Sequence, residues 1–341
     1  MAVRLDLVAH GGGGVMTTLP AVPGRAAAAS DLIHGPTTLR LLDAPALGEA
    51  EEAGPRLLVA AAGVERGWRS AVLEASSDGG ASWTAAGTTA PAAVIGVAVG
   101  VLGPGGAALF DRHNAIEVEL LQDEMWLESR DDEALVAGEN LAMIGDELIQ
   151  FGEAVRVGPR RFRLSRLLRG RRGSEWAAAT HAAGDAFVLI EPESLVALPL
   201  PLARVGVVVE VSARGIGDSG APAIASRAIG IEAVRPPSPV HLDARVRADG
   251  AIEIGWTRRS RTGWAWIDGV DAPLGEFRES YRVTLAGGAR AREAEVETPG
   301  FVYSAAAQAE DGVAAGMPVS IAVAQLGTLA ASRTAVVTIA F

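Results

Sequence analysis

The chain has no cysteine and no lysine. Without cysteine there is no disulfide, no thiolate nucleophile and no cysteine-ligated zinc, and folding needs no oxidising compartment. Aromatic residues make up only 5% of the chain, so alanine, valine, leucine and isoleucine must build most of any core. The five histidines are scattered. None has the His-x-His or His-x3-His spacing that sets two ligands on one face, so neither a metal site nor a cofactor is expected. Cationic excess is missing too: the formal charge of −11 excludes a general nucleic-acid binder, because phosphate contacts need positive charge. The opening residues carry Arg4, Asp6 and His10 ahead of Gly11 to Gly14, and so lack the apolar core of a signal peptide. A membrane span is not expected either. The longest apolar stretch, Pro91 to Phe110, is broken by Pro104, Gly105 and Gly106, and its valine-rich middle suits a buried strand.

What is present is a β pattern on a globular composition, 49% apolar and 21% charged. At 341 residues two domains are the natural prior. Residues 1–55 are rich in Gly, Pro and Ala and are expected to be loosely structured loops and edge strands that depend on a partner. From Arg56 onward short strands dominate. Ser76-Ser77-Asp78-Gly79-Gly80-Ala81-Ser82-Trp83 makes a hairpin whose Asp-Gly supplies positive φ angles. Ala115 to Leu120 and Arg161 to Leu164 alternate apolar and charged residues, as half-exposed strands do. Asn140 to Phe151 forms two strands around a Gly145-Asp146 turn, and only Ser174 to Ala183 looks helical. Arg235-Pro236-Pro237-Ser238-Pro239 marks a linker. Beyond it, strands at regular spacing indicate a β-sandwich, with Trp256 and Tyr281 filling its interior. The expected fold is mainly β: a β-rich region over 1–234 and a fibronectin-type-III-like sandwich over 235–341.

Several stretches invite a chemical reading. Gly217-Asp218-Ser219-Gly220-Ala221-Pro222 resembles the nucleophile loop of trypsin-like serine proteases, but neither His10, His34, His113 nor His181 has the context such a base uses, and a turn between strands explains it as well. The Ser76–Trp83 hairpin fits the Asp-box of sialidase-like propellers, where the motif is structural and repeated; here it occurs once. Glu117 and Glu119 share one strand face, while Asp123, Glu124, Asp131, Asp132, Glu133, Asp146 and Glu147 read as solvated loop and turn residues, with no pair singled out for glycosidase work. Arginines cluster at Arg156, Arg160, Arg161, Arg163, Arg166, Arg169, Arg171 and Arg172. Alternation within Arg161-Phe162-Arg163-Leu164 points those arginines outward, and Leu167 to Ser174 reads as a glycine-flanked turn into a short helix. Guanidinium forks bind carboxylates of neighbouring chains well, so Arg163, Arg166, Arg169, Arg171 and Arg172 are candidates for an assembly interface. Trp264 and Trp266, flanking Ala265 in a loop, are either glycan-stacking residues or lids on the sandwich.

Asn140-Leu141-Ala142-Met143-Ile144-Gly145-Asp146-Glu147-Leu148-Ile149-Gln150-Phe151, followed by Arg163-Leu164-Ser165-Arg166-Leu167-Leu168-Arg169-Gly170-Arg171-Arg172-Gly173-Ser174-Glu175, resembles the C-terminal region of the tail-tip hub proteins of gene transfer agents and related siphophages. These are the host-specificity or megatron proteins. Gly67-Trp68-Arg69 with the hairpin, Arg235 to Leu242, and Trp256-Thr257-Arg258-Arg259 leading to Pro273-Leu274-Gly275-Glu276 and Tyr281 extend the likeness in the same order. The resemblance implies a non-enzymatic structural part of a tail tip or baseplate hub, with a hub-like 1–234. It also implies other tail-tip proteins as partners, a homo-oligomer (a trimer), and a place at the particle tail after synthesis in the bacterial cytoplasm. Larger members carry upstream hub domains and a TIM-barrel module, so the chain is expected to be a C-terminal portion, as a separate gene product or part of a longer one. The alternatives are a glycan-binding adhesion module and a serine protease.

Overall fold

Leu39 and Leu41 on one strand and Leu57, Val59 and Ala61 on the next stand at alternate positions, and their shared face is apolar. That period of two defines the first body. A computed structural model describes residues 35–48, 54–264 and 269–340. Its strands β1 (Thr37–Leu42), β2 (Arg56–Gly63), β3 (Ala71–Ser76) and β4 (Thr84–Thr88) open the chain. Next come β5 (Ile95–Ala98), β6 (Ile116–Leu120), β7 (Leu141–Ile144), β8 (Glu147–Gly158), β9 (Arg161–Leu168) and β10 (Ala186–Leu189). After these the chain forms β11 (Leu195–Pro199), β12 (Val208–Gly215) and β13 (Ala223–Ala228).

A three-stranded sheet, β1-β2-β11, packs on a four-stranded sheet, β13-β12-β3-β4. Leu39, Leu57, Val59, Trp68, Leu73, Val209 and Val211 fill the space between them. Between β4 and β11 the chain leaves this sandwich and closes a six-stranded barrel, in the order β10-β5-β6-β9-β8-β7. Closure depends on β10, which pairs with both β5 and β7 and so removes the free edges. Val118, Leu120, Phe151, Phe162, Leu164 and Phe187 are buried inside. The sequence reading of 1–234 as β-rich held no hint that it contains a sandwich interrupted by a barrel.

Strand β2 joins the two bodies. All eight of its residues are buried. Leu57, Val59 and Ala61 face the sandwich core, while Leu58, Ala60 and Ala62 belong to the barrel's core cluster. A strand covered on both faces reads as an unbroken apolar run instead of an alternation, which is what Leu57-Leu58-Val59-Ala60-Ala61-Ala62 shows.

The last body follows the proline-rich stretch: β14 (Val240–Val246), β15 (Ile252–Thr257), β16 (Tyr281–Ala286), β17 (Arg292–Val296), β18 (Gly300–Tyr303), β19 (Pro318–Gln325) and β20 (Ala335–Ala340). Sheets β14-β15-β18 and β17-β16-β19-β20 form a fibronectin-type-III-like sandwich. Trp256 and Tyr281 meet edge to face in its core, with ring centroids 5.1 Å apart, an arrangement favoured by the ring quadrupoles.

Helix is confined to α1 (Asp132–Val136) and α2 (Ala305–Glu310) among the described residues, apart from 3-10 turns. The helix expected over Ser174 to Ala183 shrinks to one 3-10 turn, Glu175–Ala177, preceded by a second at Arg171–Gly173 in which Arg172 and Gly173 take left-handed φ angles of 58° and 89°. The acidic stretch expected as loop contains α1, whose first turn is capped by the Asp131 carboxylate accepting from Ala134 N at 2.9 Å.

Candidate functional site

The arginine run divides by position along β9 and beyond. Inside the strand the alternation holds: Phe162 and Leu164 point inward and Arg163 is exposed. Arg160 and Arg161 pair with Glu119 on the neighbouring strand, at 2.9 and 3.2 Å. Arg166 folds back across the barrel surface to Asp132 and the carbonyl of Arg130, with its guanidinium 5.5 Å from the Phe110 ring.

Arg169 corrects the sequence reading. Strand β9 ends at Leu168, so the outward alternation ends with it, and the Arg169 side chain is 0% exposed. Its Nε and Nη2 donate to the Glu147 carboxylate at 2.9 and 2.8 Å, and its Nη1 donates to Asp111 Oδ2 and the carbonyl of Gly103 at 3.1 and 2.9 Å. The remaining reach of Nη2 goes to Ala178 O. It therefore offers nothing to a neighbouring chain. Glu147, expected at a solvated turn, is equally buried and also accepts from Gly170 N at 2.7 Å.

His181 completes this cluster. Its Nε2 lies 2.6 Å from Glu147 Oε2 and its Nδ1 3.3 Å from Asp185 Oδ2. Both ring nitrogens face carboxylates. Burial would raise the Glu147 carboxyl, but the hydrogen bonds from His181 and Arg169 outweigh it and hold the group below the usual carboxylate range. Asp111 is likewise held low. Burial works against it, and the backbone and side chain of Asn114, the amide of His113 and Arg169 prevail. The cluster ties the loop before β6, the start of β8, the end of β9 and the segment before β10 to one end of the barrel. Every polar group faces another polar group of the protein, so the arrangement locks the structure.

A second cluster joins the barrel to the last sandwich. Pro236, Pro237 and Pro239 are buried, so the expected linker is packed along its length. Glu232 accepts from Arg333 Nη1 and Nη2 at 2.7 and 3.0 Å and from Arg235 Nε at 3.0 Å. The Arg333 guanidinium also stacks on Trp176, 3.8 Å from the ring centroid. Arg259 pairs with Glu175 at 2.5 Å. Arg171 donates to Gln150 Oε1 at 2.7 Å, and burial together with the charge of Arg259 lowers its pKa. Arg172 donates to Ala46 O and lies over Trp264, 5.5 Å from the ring centroid. Two of the five proposed interface arginines, Arg171 and Arg172, thus lie at this internal junction. Trp264 is half-buried, with Nε1 donating to Arg261 O at 2.9 Å, and one face of its ring is covered by Arg172. Trp266 lies outside the described residues.

The other candidates resolve into turns. In the hairpin, Asp78 accepts from Ser76 Oγ, Ser82 N and Ser82 Oγ at 2.7, 2.9 and 2.5 Å, and these bonds lower its pKa. Gly79 and Gly80 take φ angles of 73° and 83°, the left-handed backbone the motif needs. Asp218 accepts from Gly215 N and Thr37 Oγ1, each at 2.8 Å, and Ser219 is exposed, with no hydrogen bond to a histidine among the described residues. His10 and His34 lie outside the described residues. Among the described residues no group of three or more His, Asp or Glu side chains is placed to hold a metal ion, and no helix is long and apolar enough to cross a membrane.

Sequence reasoning singled out neither Asp111, Glu232 nor Arg333, and it weighed Glu147 and His181 without joining them. One signal was there: Glu147 stands between the apolar pairs Met143-Ile144 and Leu148-Ile149, an unusual place for a solvated carboxylate.

A family model described as "Rcc01698-like, C-terminal" matches residues 93–188, a span that runs from just before β5 into β10. No curated protein matches the sequence. Among solved structures, a two-domain fibronectin type-III segment of chicken tenascin is similar at 9% identity and a TM-score of 0.24, covering 72% of this chain and 99% of that one. The FN1–FN3 domains of chicken CNTN1 give 11%, 0.21, 90% and 99% for the same quantities. Domains d3–d4 of the rat CD45 extracellular region give 10%, 0.24, 35% and 56%; the chain thus spans about half of that fragment's length.

Proposed function

We propose that this chain is a structural component of a phage-like tail tip or baseplate hub, of the gene transfer agent or siphophage kind, acting in tail assembly and host-surface attachment without catalysis. The observation that carries this reading is the family match over residues 93–188, which takes in the stretch from Asn140 to Glu175 where the resemblance to tail-tip hub proteins is densest. The use made of the polar residues supports it. Arg169, Glu147 and His181 bind one another within the barrel, and Glu232, Arg333 and Arg259 bind across the junction. Such rigid joining of modules suits a load-bearing particle part.

Of the five arginines proposed for assembly, Arg163 is the exposed one and therefore the informative one to change. Reversing Arg169 would unfold the barrel and mimic an assembly defect. In a strain producing particles, Arg163→Glu should lower the amount of this chain in purified tails by at least tenfold while the free protein melts as the wild type does. Wild-type particles that lack the chain would overturn the tail-tip reading. Full incorporation of the variant would remove Arg163 from the interface.

A further inference from the structure

Asp43 follows β1, and its carboxylate lies directly on the backbone of Gly230: a Cβ there would stand 1.6 Å from Asp43 Oδ2. Asp43 Oδ1 is buried and has no hydrogen-bond partner among the described residues. The charged groups facing this carboxylate come from three places. Glu232 belongs to the 3-10 turn Glu232–Val234, Arg227 to β13 and Asp146 to the turn before β8. Arg227, the one cation among them, is already paired with Asp146. The Glu232 carboxylate is itself the anchor for Arg333 and Arg235. Two carboxylates therefore share a poorly hydrated corner, and the available arginines serve the other acids. Like charges so placed favour protonation of one member.

We infer that Asp43 is a proton-operated latch on the junction between the first sandwich and the last: neutral, it leaves Glu232 to hold Arg333; ionised, it repels Glu232 and loosens that hold. Among the described residues Glu232 is the carboxylate that binds both Arg333 of the last sandwich and Arg235 of the connecting stretch, so a push on it acts on both. Burial, followed by the charge of Glu232, raises the Asp43 carboxyl to about 6, against the opposing pull of Arg227. The sign follows from linkage. The folded protein binds the extra proton between about 4, the ordinary aspartate value, and about 6, so stability falls as pH rises through that interval. The joint is tight below pH 6 and loosens above it.

The test uses the full chain. A carbon-detected NMR titration of the side-chain carboxyls, with Asp43 assigned by its loss in Asp43→Asn, should place its midpoint near 6. A midpoint near about 4, the free-aspartate value, would overturn the latch without bearing on the tail-tip reading. Amide exchange at Ser332 and Arg333, corrected for intrinsic rates, should rise severalfold between pH 5 and pH 7.5 in the wild type and stay flat in Asp43→Asn. An equal rise in both would also overturn it. Should Asp43→Asn fail to fold, Glu232→Gln supplies the second variant: the Asp43 midpoint should drop, and an unchanged midpoint counts against the proposal.

Discussion

The two sandwiches share one strand order and are built from different residues. In each, the first, second and fifth strands of the body make the smaller sheet, and the third, fourth, sixth and seventh make the larger one. In the last sandwich the fourth strand reaches the fifth through Glu297, Thr298 and Pro299. In the first, the equivalent connection holds the whole barrel. Their interiors differ as well. Trp256, Tyr281 and Tyr303 anchor the last core, whereas the first relies on Leu, Val and Ala with Trp68 as its one buried aromatic. The comparison teaches that this topology tolerates both a foreign body between two strands and a change of core chemistry. What it requires is the alternation of inward-facing apolar side chains.

That comparison can be broken at its strongest points. Trp256→Ala should cost about 3–5 kcal/mol, as truncation of a buried aromatic does, and the loss should fall on the last sandwich alone. Hydrogen exchange under mild urea would check this; simultaneous loss of protection in β5–β10 would show that the bodies melt as one. Arg169→Ala leaves Glu147 buried without its main partner and should cost about 3 kcal/mol or more. Here protection should vanish from the barrel and persist in β14–β20.

Acid should act on the same division more gently. Glu147 and Asp111 have lowered carboxyl pKa values in the folded chain. The stability they add is fully present above about 4.3, the ordinary upper value for unfolded carboxylates, and is lost as pH falls through their folded values. Circular dichroism melts from pH 5 to pH 2 should show a falling midpoint for the barrel. In Glu147→Gln that fall should shrink, and an undiminished slope would assign the acid lability elsewhere.

Much of the β pattern was legible because hairpin and strand signals are local. The Ser76–Trp83 hairpin, the Gly145-Asp146 turn and the strands beyond Pro239 all follow from turn chemistry and alternation. The first sandwich was not legible, because the barrel separates β4 from β11 and destroys the regular spacing by which sandwiches are recognised. The clusters were hidden for a related reason. Arg169 meets Asp111 across 58 positions and Arg333 meets Glu232 across 101, distances at which the sequence alone offers no pairing rule. Alternation correctly turned Arg163 outward but could not say that β9 would end one residue before Arg169.

The barrel's place within the first sandwich has a mechanical consequence. The chain enters the barrel from β4 and returns to β11, and the two strands lie in opposite sheets, so the barrel is held by two covalent tethers besides the shared wall of β2. A sideways force on it meets a doubly clamped beam. The last sandwich joins the preceding body through the 232–239 stretch and is braced there by side-chain contacts: Glu232–Arg333, Arg259–Glu175 and Arg172 over Trp264. Under load, bending should therefore concentrate at residues 232–239, while the barrel and first sandwich move as one stiff body.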